Sequence, residues 1–295
     1  MSDPLQPPHR VCCQDKHLIE VYYPSPDGAI FEKLVSCSPL LEELKIRRCC
    51  SAPEVFRIHS LSLKKLHINL NDIGDECRVV IDAPLLRRLK VDDNHSESYV
   101  VNNLDSIAKL DISLSFGLYN FDETSVSSKK SIISSFLTGV SKVREINIYA
   151  DCLEMFWQYS KLAPLPQFGY LSRLDVYLCT PGLKWLLTFL ETCPNLESLI
   201  LEWNGDSKRE HSKEMNQINF SYVPECFTSS LKFVDLRTRI SGDAGEMKLV
   251  RYFLKNSAVL NKLTLRLGCY ANENAVLKKL LNIPRRSITC QVDVR

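Results

Sequence analysis

Glycine is scarce in this chain, at 10 of 295 residues, against a usual share of about 7%. Tight glycine turns are therefore not expected to dominate its connections, and no Gly-Lys-Ser phosphate loop, G-x-S-x-G elbow or H-E-x-x-H pair occurs. Charge of one sign is missing too. The 37 basic and 35 acidic side chains leave a formal +2, which argues against a dedicated nucleic-acid binder or a polybasic membrane module. No run approaches the about 20 apolar residues needed to span a bilayer, and residues 1–29 lack the unbroken apolar stretch of a secretory signal. Cysteine, at 12 of 295 residues, falls below the about 8–10% of a disulfide scaffold. No C-x-x-C pair exists, and the adjacent pairs Cys12-Cys13 and Cys49-Cys50 lack zinc-ligand spacing. Free thiols in a cytoplasmic or nuclear setting are expected, with no metal and no cofactor.

Leucine is abundant, at 42 of 295 residues, and it recurs in a phrase. The pattern L-x-x-L-x-L-x-x-(N/C), with other aliphatics allowed, fits Leu41/Leu44/Ile46/Cys49, Leu63/Leu66/Ile68/Asn71 and Leu86/Leu89/Val91/Asn94. It returns at Leu171/Leu174/Val176/Cys179 and Leu196/Leu199/Leu201/Asn204. Four further copies, around Leu110, Ile146, Val234 and Leu263, keep the apolar positions and lose the final Asn or Cys. Steps between the central aliphatics are 22, 23, 21, 36, 28, 25, 35 and 29 residues. Six of these eight lie within the about 20–29 residues of a leucine-rich repeat, and the two longer ones hold insertions.

The L-x-L alternation predicts a short strand with one buried face in each copy. The Asn or Cys that follows is suited to satisfying backbone groups where the chain turns away. Helices are expected between strands: Leu183 to Leu190, with Thr180 as N-cap and Pro181 at N1; Ile132 to Leu137, capped by Ser128 and ended by Gly139; Glu246 to Lys255; and a stretch around Val276 to Leu281. Strand plus helix, repeated, predicts an α/β leucine-rich-repeat solenoid of about nine irregular units, with a curved parallel sheet and outer helices.

Several phrases resemble a known family, the plant F-box/leucine-rich-repeat proteins that end in an FBD domain. Residues 30–46, IFEKLVSCSPLLEELKI, look like its helix-to-strand junction, and Asp82-Ala83-Pro84-Leu85-Leu86-Arg87-Arg88-Leu89 looks like its "Ala-Pro-x-Leu-x-x-Leu" phrase. Val223-Pro224-Glu225-Cys226, Ser229-Ser230-Leu231-Lys232, the stretch from Leu249 to Ser257, and Pro284-Arg285-Arg286-Ser287 with Cys290 together resemble the FBD domain. The resemblance divides the chain into an irregular segment over 1–29, repeats over 30–222, and an FBD domain over 223–295 that continues the solenoid. Residues 1–29 do not resemble the family's F-box, the helical motif that binds a Skp-type adaptor of a cullin ubiquitin ligase. Adaptor binding is therefore not expected of this segment, and the array reads as one without its N-terminal module.

On this reading the side chains that flank the buried aliphatics project from the concave face. The early rows, with Arg88 and Lys90, are mostly charged, whereas the later rows add Tyr149, Tyr177, Ile200 and Phe233 beside Arg173 and Arg237. Aromatic and Arg side chains are frequent anchors of protein interfaces. A protein substrate or ligand is the expected partner, held non-enzymatically as by the substrate-recognition part of an SCF-type ubiquitin-ligase receptor. The alternative is a freestanding leucine-rich-repeat binding or inhibitor protein. His59 and His67 lie near Cys49 and Cys50 in sequence but on different elements, so a Cys/His nucleophile is not expected.

Overall fold

A computed structural model describes residues 10–15, 17–23, 28–49, 55–70, 77–102, 104, 106–178, 182–203, 220, 222–242, 244–268 and 273–295. The chain divides into two compact units, Met1–Val140 and Ser141–Arg295.

In the first unit, strands β1 (Arg10–Asp15), β2 (Leu18–Tyr23), β3 (Glu43–Cys49), β5 (Lys65–Asn69), β7 (Arg88–Asp93) and β9 (Lys109–Leu114) lie side by side in that order. β1 and β2 form an antiparallel hairpin, and every later pairing is parallel. The repeat aliphatics fall in register, Leu44 beside Leu66, Leu89 and Leu110, and Ile46 beside Ile68, Val91 and Ile112. All eight are buried, each contributing roughly 1.5–3 kcal/mol of apolar burial.

Two expectations are corrected here. Residues 1–29, read as irregular, carry β1 and β2, and β2 places Ile19 and Val21 beside Leu44 and Ile46. Two alternating aliphatics suffice to add a strand to the sheet and bury themselves. Among the described residues, the connections between β3, β5, β7 and β9 carry no helix. They hold β4 (Val55–His59), β6 (Arg78–Asp82) and β8 (Ser98–Asn102), which form a separate parallel sheet. Steps of 21–23 residues leave too little chain for two turns and a helix, and V-F-R-I-H and R-V-V-I-D alternate with period two.

Helices flank this second sheet. α1 (Gly28–Ser36) packs on β4, with the rings of Phe31 and Phe56 edge to face at 5.5 Å. α2 (Glu123–Ser128) and α3 (Lys130–Val140) follow β9, and α3 packs on β8 through Tyr99, Phe116 and Phe136. Ser128 does not cap α3; it ends α2, whose N-cap is Asp122, its carboxylate accepting from the Ser125 amide at 2.8 Å. Gly139 does not end α3 but lies within it, where a Cβ would stand 3.1 Å from the Val101 carbonyl oxygen. Close approach of helix to strand, not termination, requires glycine there.

The second unit follows the expected strand-and-helix alternation. Strands β10 (Glu145–Tyr149), β11 (Arg173–Leu178), β12 (Ser198–Trp203), β13 (Phe233–Ile240), β14 (Lys262–Leu267) and β15 (Gln291–Val294) are parallel and adjacent in chain order. Between them run α4 (Ala150–Leu162), α5 (Leu183–Leu190), α6 (Glu225–Ser229), α7 (Ala244–Asn256) and α8 (Glu273–Leu281). Thr180 and Pro181, expected to start α5, lie outside the described residues. α4 packs on α5, with Phe156 stacked on Phe189 at 6.2 Å, and Phe227 of α6 stacks on Phe253 of α7 at 5.4 Å. Before α7, Gly242 adopts φ +83, and a Cβ there would lie 2.4 Å from Val276 Cγ2. The buried Glu246 carboxylate accepts both the Ser241 and Gly242 amides at 2.8 Å, tying off the helix start.

One backbone device recurs in both units. The carbonyl just before a strand accepts two amides from the start of the next repeat: Glu42 from Lys64 and Lys65, Lys64 from Arg87 and Arg88, Arg87 from Ala108 and Lys109. Arg144, Ser172, Glu197 and Lys232 do the same in the second unit. The Asn and Cys that close each phrase were expected to serve the backbone, but Asn71, Cys179, Asn204 and the Cys49 side chain lie outside the described residues, and Asn94 is exposed.

Candidate interaction surface

Because side chains alternate along a strand, burying 44 and 46 and their counterparts turns the flanking residues to the opposite face of each sheet. In the second unit these form three columns across neighbouring strands. Tyr149 pairs with Tyr177, and Tyr177 with Glu202. Asn147, Asp175, Ile200, Asp235, Thr264 and Asp293 fill the middle column. Glu145, Arg173, Ser198, Phe233, Lys262 and Gln291 fill the third.

The two tyrosine rings stack, with centroids 4.8 Å apart and planes 13° from parallel. Tyr149 is 37% exposed and Phe233 45% exposed, so both offer apolar area to solvent. Arg173, on the same strand as Tyr177, is held by the buried Asp175 between them. Its Nη2 donates to Oδ2 at 3.3 Å, while Nε stands 3.1 Å from Oδ1, off the hydrogen-bond line. Arg237 donates to Asp235 at 3.4 Å, and Arg266 grips the same carboxylate through both terminal nitrogens, at 2.8 and 3.4 Å. Ile200 does not present itself: it is 5% exposed, as the short middle-column neighbours Asp175 and Thr264 also are nearly covered. A middle-column aliphatic with strands about 4.8 Å away on either side is easily overlaid, and the sequence pattern alone does not separate it from its exposed neighbours.

The expected Arg88 and Lys90 lie in the first unit, exposed on β7, with Lys90 Nζ 3.9 Å from Asp111. On that face Lys65 donates to Glu43 at 3.1 Å and Arg47 stands 3.3 Å from Glu20. Burial acts to raise Glu43, but hydrogen bonds from Lys65 and Lys45 outweigh it and hold the carboxyl below its ordinary value. His67, central on β5, is shifted the other way from a typical exposed imidazole: burial, then the charges of Lys90, Arg47 and Lys45, lower its pKa. Its Nε2 is buried without a hydrogen-bond partner among the described residues.

Sequence reasoning missed the β15 row. Asp293 accepts from Lys262 at 3.0 Å and from Arg295 at 3.0 Å, and these bonds hold it low. Val292 and Val294, two residues apart, were the only signal for that strand. His59 and His67 fall on different sheets, β4 and β5, and the Cys49 side chain and Cys50 lie outside the described residues. Burial raises the thiols of Cys77 to about 11 and Cys226 to about 12, and pushes Cys193 higher still. Among the described residues no three His, Cys, Asp or Glu side chains are placed to hold a metal ion, and no helix is long and apolar enough to cross a membrane.

Two family models match the chain. The FBD model covers residues 217–265, and the leucine-rich repeats of FBD-associated F-box protein At5g56370 cover residues 25–112. An FBD-associated F-box protein of Arabidopsis thaliana, At5g53635, is 53% identical over 284 residues, covering 95% of this chain and 65% of the relative. The Arabidopsis thaliana F-box/FBD/LRR-repeat protein At2g05300 is 46% identical, covering 89% of this chain and 60% of the relative. A third from the same plant, At2g26030, is 38% identical, covering 94% and 64%. The chain therefore spans under two thirds of the length of these relatives.

Proposed function

We propose that this chain, which belongs to the plant family of F-box/FBD/leucine-rich-repeat proteins, is a non-enzymatic module that recognises a protein substrate for an SCF-type ubiquitin ligase. The stacked, part-exposed Tyr149 and Tyr177, with Arg173 and the exposed Phe233 on the same sheet face, carry the reading. Stacked aromatics fixed on a sheet offer apolar contact at little entropic cost, because the rings are already ordered before a partner arrives. The raised thiols of Cys77 and Cys226 support a non-enzymatic role, since the thiolate is the reactive form. Cytoplasm or nucleus suits a protein in which Cys37, Cys77, Cys193, Cys226 and Cys290 stand as thiols rather than disulfides.

Affinity capture from plant extract tests the reading, with the wild-type chain compared against Tyr149→Ala/Tyr177→Ala. The expected result is a defined set of proteins retained by the wild type and lost by the variant, among them proteins that accumulate when the proteasome is inhibited. Equal retention by both chains would remove the tyrosine rows from the surface. A second reading is a freestanding repeat protein without a ligase link, in which Arg10–Asp15 and Leu18–Tyr23 serve as β1 and β2 of the sheet. Co-purification of a Skp-type adaptor with the chain would count against it.

A further inference from the structure

The first unit's sheet places like charges beside one another. Lys65, Arg88 and Lys109 stand in register on three adjacent strands, and Lys45, His67 and Lys90 stand in the next column. Neighbouring strands lie about 4.8 Å apart, and like charges directly opposite one another destabilise a sheet. Folding alone does not favour such rows. Acids are present: Lys45 and Glu43, 3.3 Å apart, are equally exposed at 28%, while two other pairs set the acid lower than the cation. Lys65 is 54% exposed over Glu43 at 28%, and Lys90 is 46% exposed over Asp111 at 20%. The carboxylates meet the ammonium nitrogens themselves, at 3.1 Å for Lys65 and 3.9 Å for Lys90, and in both pairs the cation keeps the larger exposed share. His67, at the centre of the face, is held below its ordinary value first by burial and then by the charges of Lys90, Arg47 and Lys45, with Asp111 opposing them.

We propose that the Lys65–Arg88–Lys109 row and the Lys45–His67–Lys90 row bind an acidic segment of a partner protein. The row of three spans about 10 Å across the strands, which three residues of extended chain cover at about 3.3 Å each. Carboxylates or phosphoryl groups at positions i and i+3 therefore reach both ends when the segment runs as a polyproline II helix, whose side chains repeat every three residues at about 3.1 Å per residue. The near-neutral total charge of the chain makes this a local patch, suited to a short acidic stretch rather than to a continuous polyanion. The proposal rests on reading the repeat face as a protein-binding surface, and it uses residues of the first unit only.

The test uses the 295-residue chain and fluorescein-labelled extended peptides, read by fluorescence anisotropy. One peptide carries Glu at i and i+3, a second phosphoserine at those positions, a third Gln, and a single-stranded RNA serves as the polyanion arm. Binding of the Glu or phosphoserine peptide that weakens with salt, and falls about tenfold in Arg88→Gln/Lys90→Gln, is the expected result. The ratio of the first two affinities shows which acidic group is preferred. Lys65→Gln provides a second, separately folded check and is expected to weaken the same peptides. Equal affinity for the Gln peptide, unchanged binding in both variants, or tighter binding of RNA than of either acidic peptide would overturn the proposal. Tyr149→Ala/Tyr177→Ala should leave acidic-peptide affinity unchanged, so a failure here and a failure of the tyrosine surface are separately visible.

Discussion

At the scale of single residues, Asp93 is a tightly constrained polar group. It is fully buried at the end of β7, and its carboxylate accepts the His95 amide at 2.9 Å, the Ser96 amide at 3.0 Å and the Tyr99 hydroxyl. Three donors converge on one acceptor, so removing it leaves two amides and a phenol in a dry interior. Asp93→Ala is expected to cost about 1–3 kcal/mol or more, and Tyr99→Phe only about 1 kcal/mol, measured by urea unfolding. Equal losses in the two variants would show that the amides carry no weight. Gly242 makes a second point. With its positive φ and Val276 pressed against it, Gly242→Ala should lose about 1–3 kcal/mol, again by urea unfolding.

Among the elements, the nine strands on the repeated aliphatics were legible because each carries two buried residues spaced by one, preceded three positions earlier by a third. The strands that were not legible lack the third: β2 offers Ile19 and Val21, and β15 offers Val292 and Val294. β4, β6 and β8 alternate cleanly, yet a strand-and-helix repeat led to helices being expected in their place. Repeat length decides between the two. Steps of 21–23 residues close with a strand, whereas the steps of 25–36 residues after β9 accommodate helices. On the candidate face, every flanking position could be assigned from alternation, but Ile200 shows that alternation fixes direction and not exposure. Helix α3 depends on its aromatic contact with β8. Phe136, fully buried between Tyr99 and Phe116, should cost about 3–5 kcal/mol when changed to Ala, read as a lower urea midpoint. A drop under half that size would mean that the cluster closes over the gap.

For the whole molecule, acidity should act in two steps. His67 titrates below its ordinary value in the folded chain, so the unfolded chain takes up the proton first. Stability that is complete above about pH 6.5 therefore declines as pH falls towards the folded value. Glu42, Glu97 and Asp293 are held low by hydrogen bonds from Lys64, from Arg78, and from Lys262 and Arg295, and Glu43 is held low despite its burial. Their contribution is complete above about pH 4.3 and is lost as pH falls through the folded values. Glu154 and Glu191, raised by burial, work in the opposite sense and soften the second step near its top. Urea midpoints measured from pH 8 to 3 should show a shallow fall and then a steep one, and His67→Gln should remove only the first. A midpoint unchanged between about pH 7 and 5 in the wild type would contradict the first step.

The shared carbonyls ahead of each strand have a consequence for variation. Glu197 accepts from Lys232 and Phe233 across a 35-residue step, and Ser198 still meets Phe233 in register. The spacing of the columns is thus set by the backbone at the strand entrance and is indifferent to how much chain intervenes. Loops can lengthen, and flanking side chains can be exchanged, without moving the remaining contact positions. A repeat chain built this way can exchange its exposed face one row at a time.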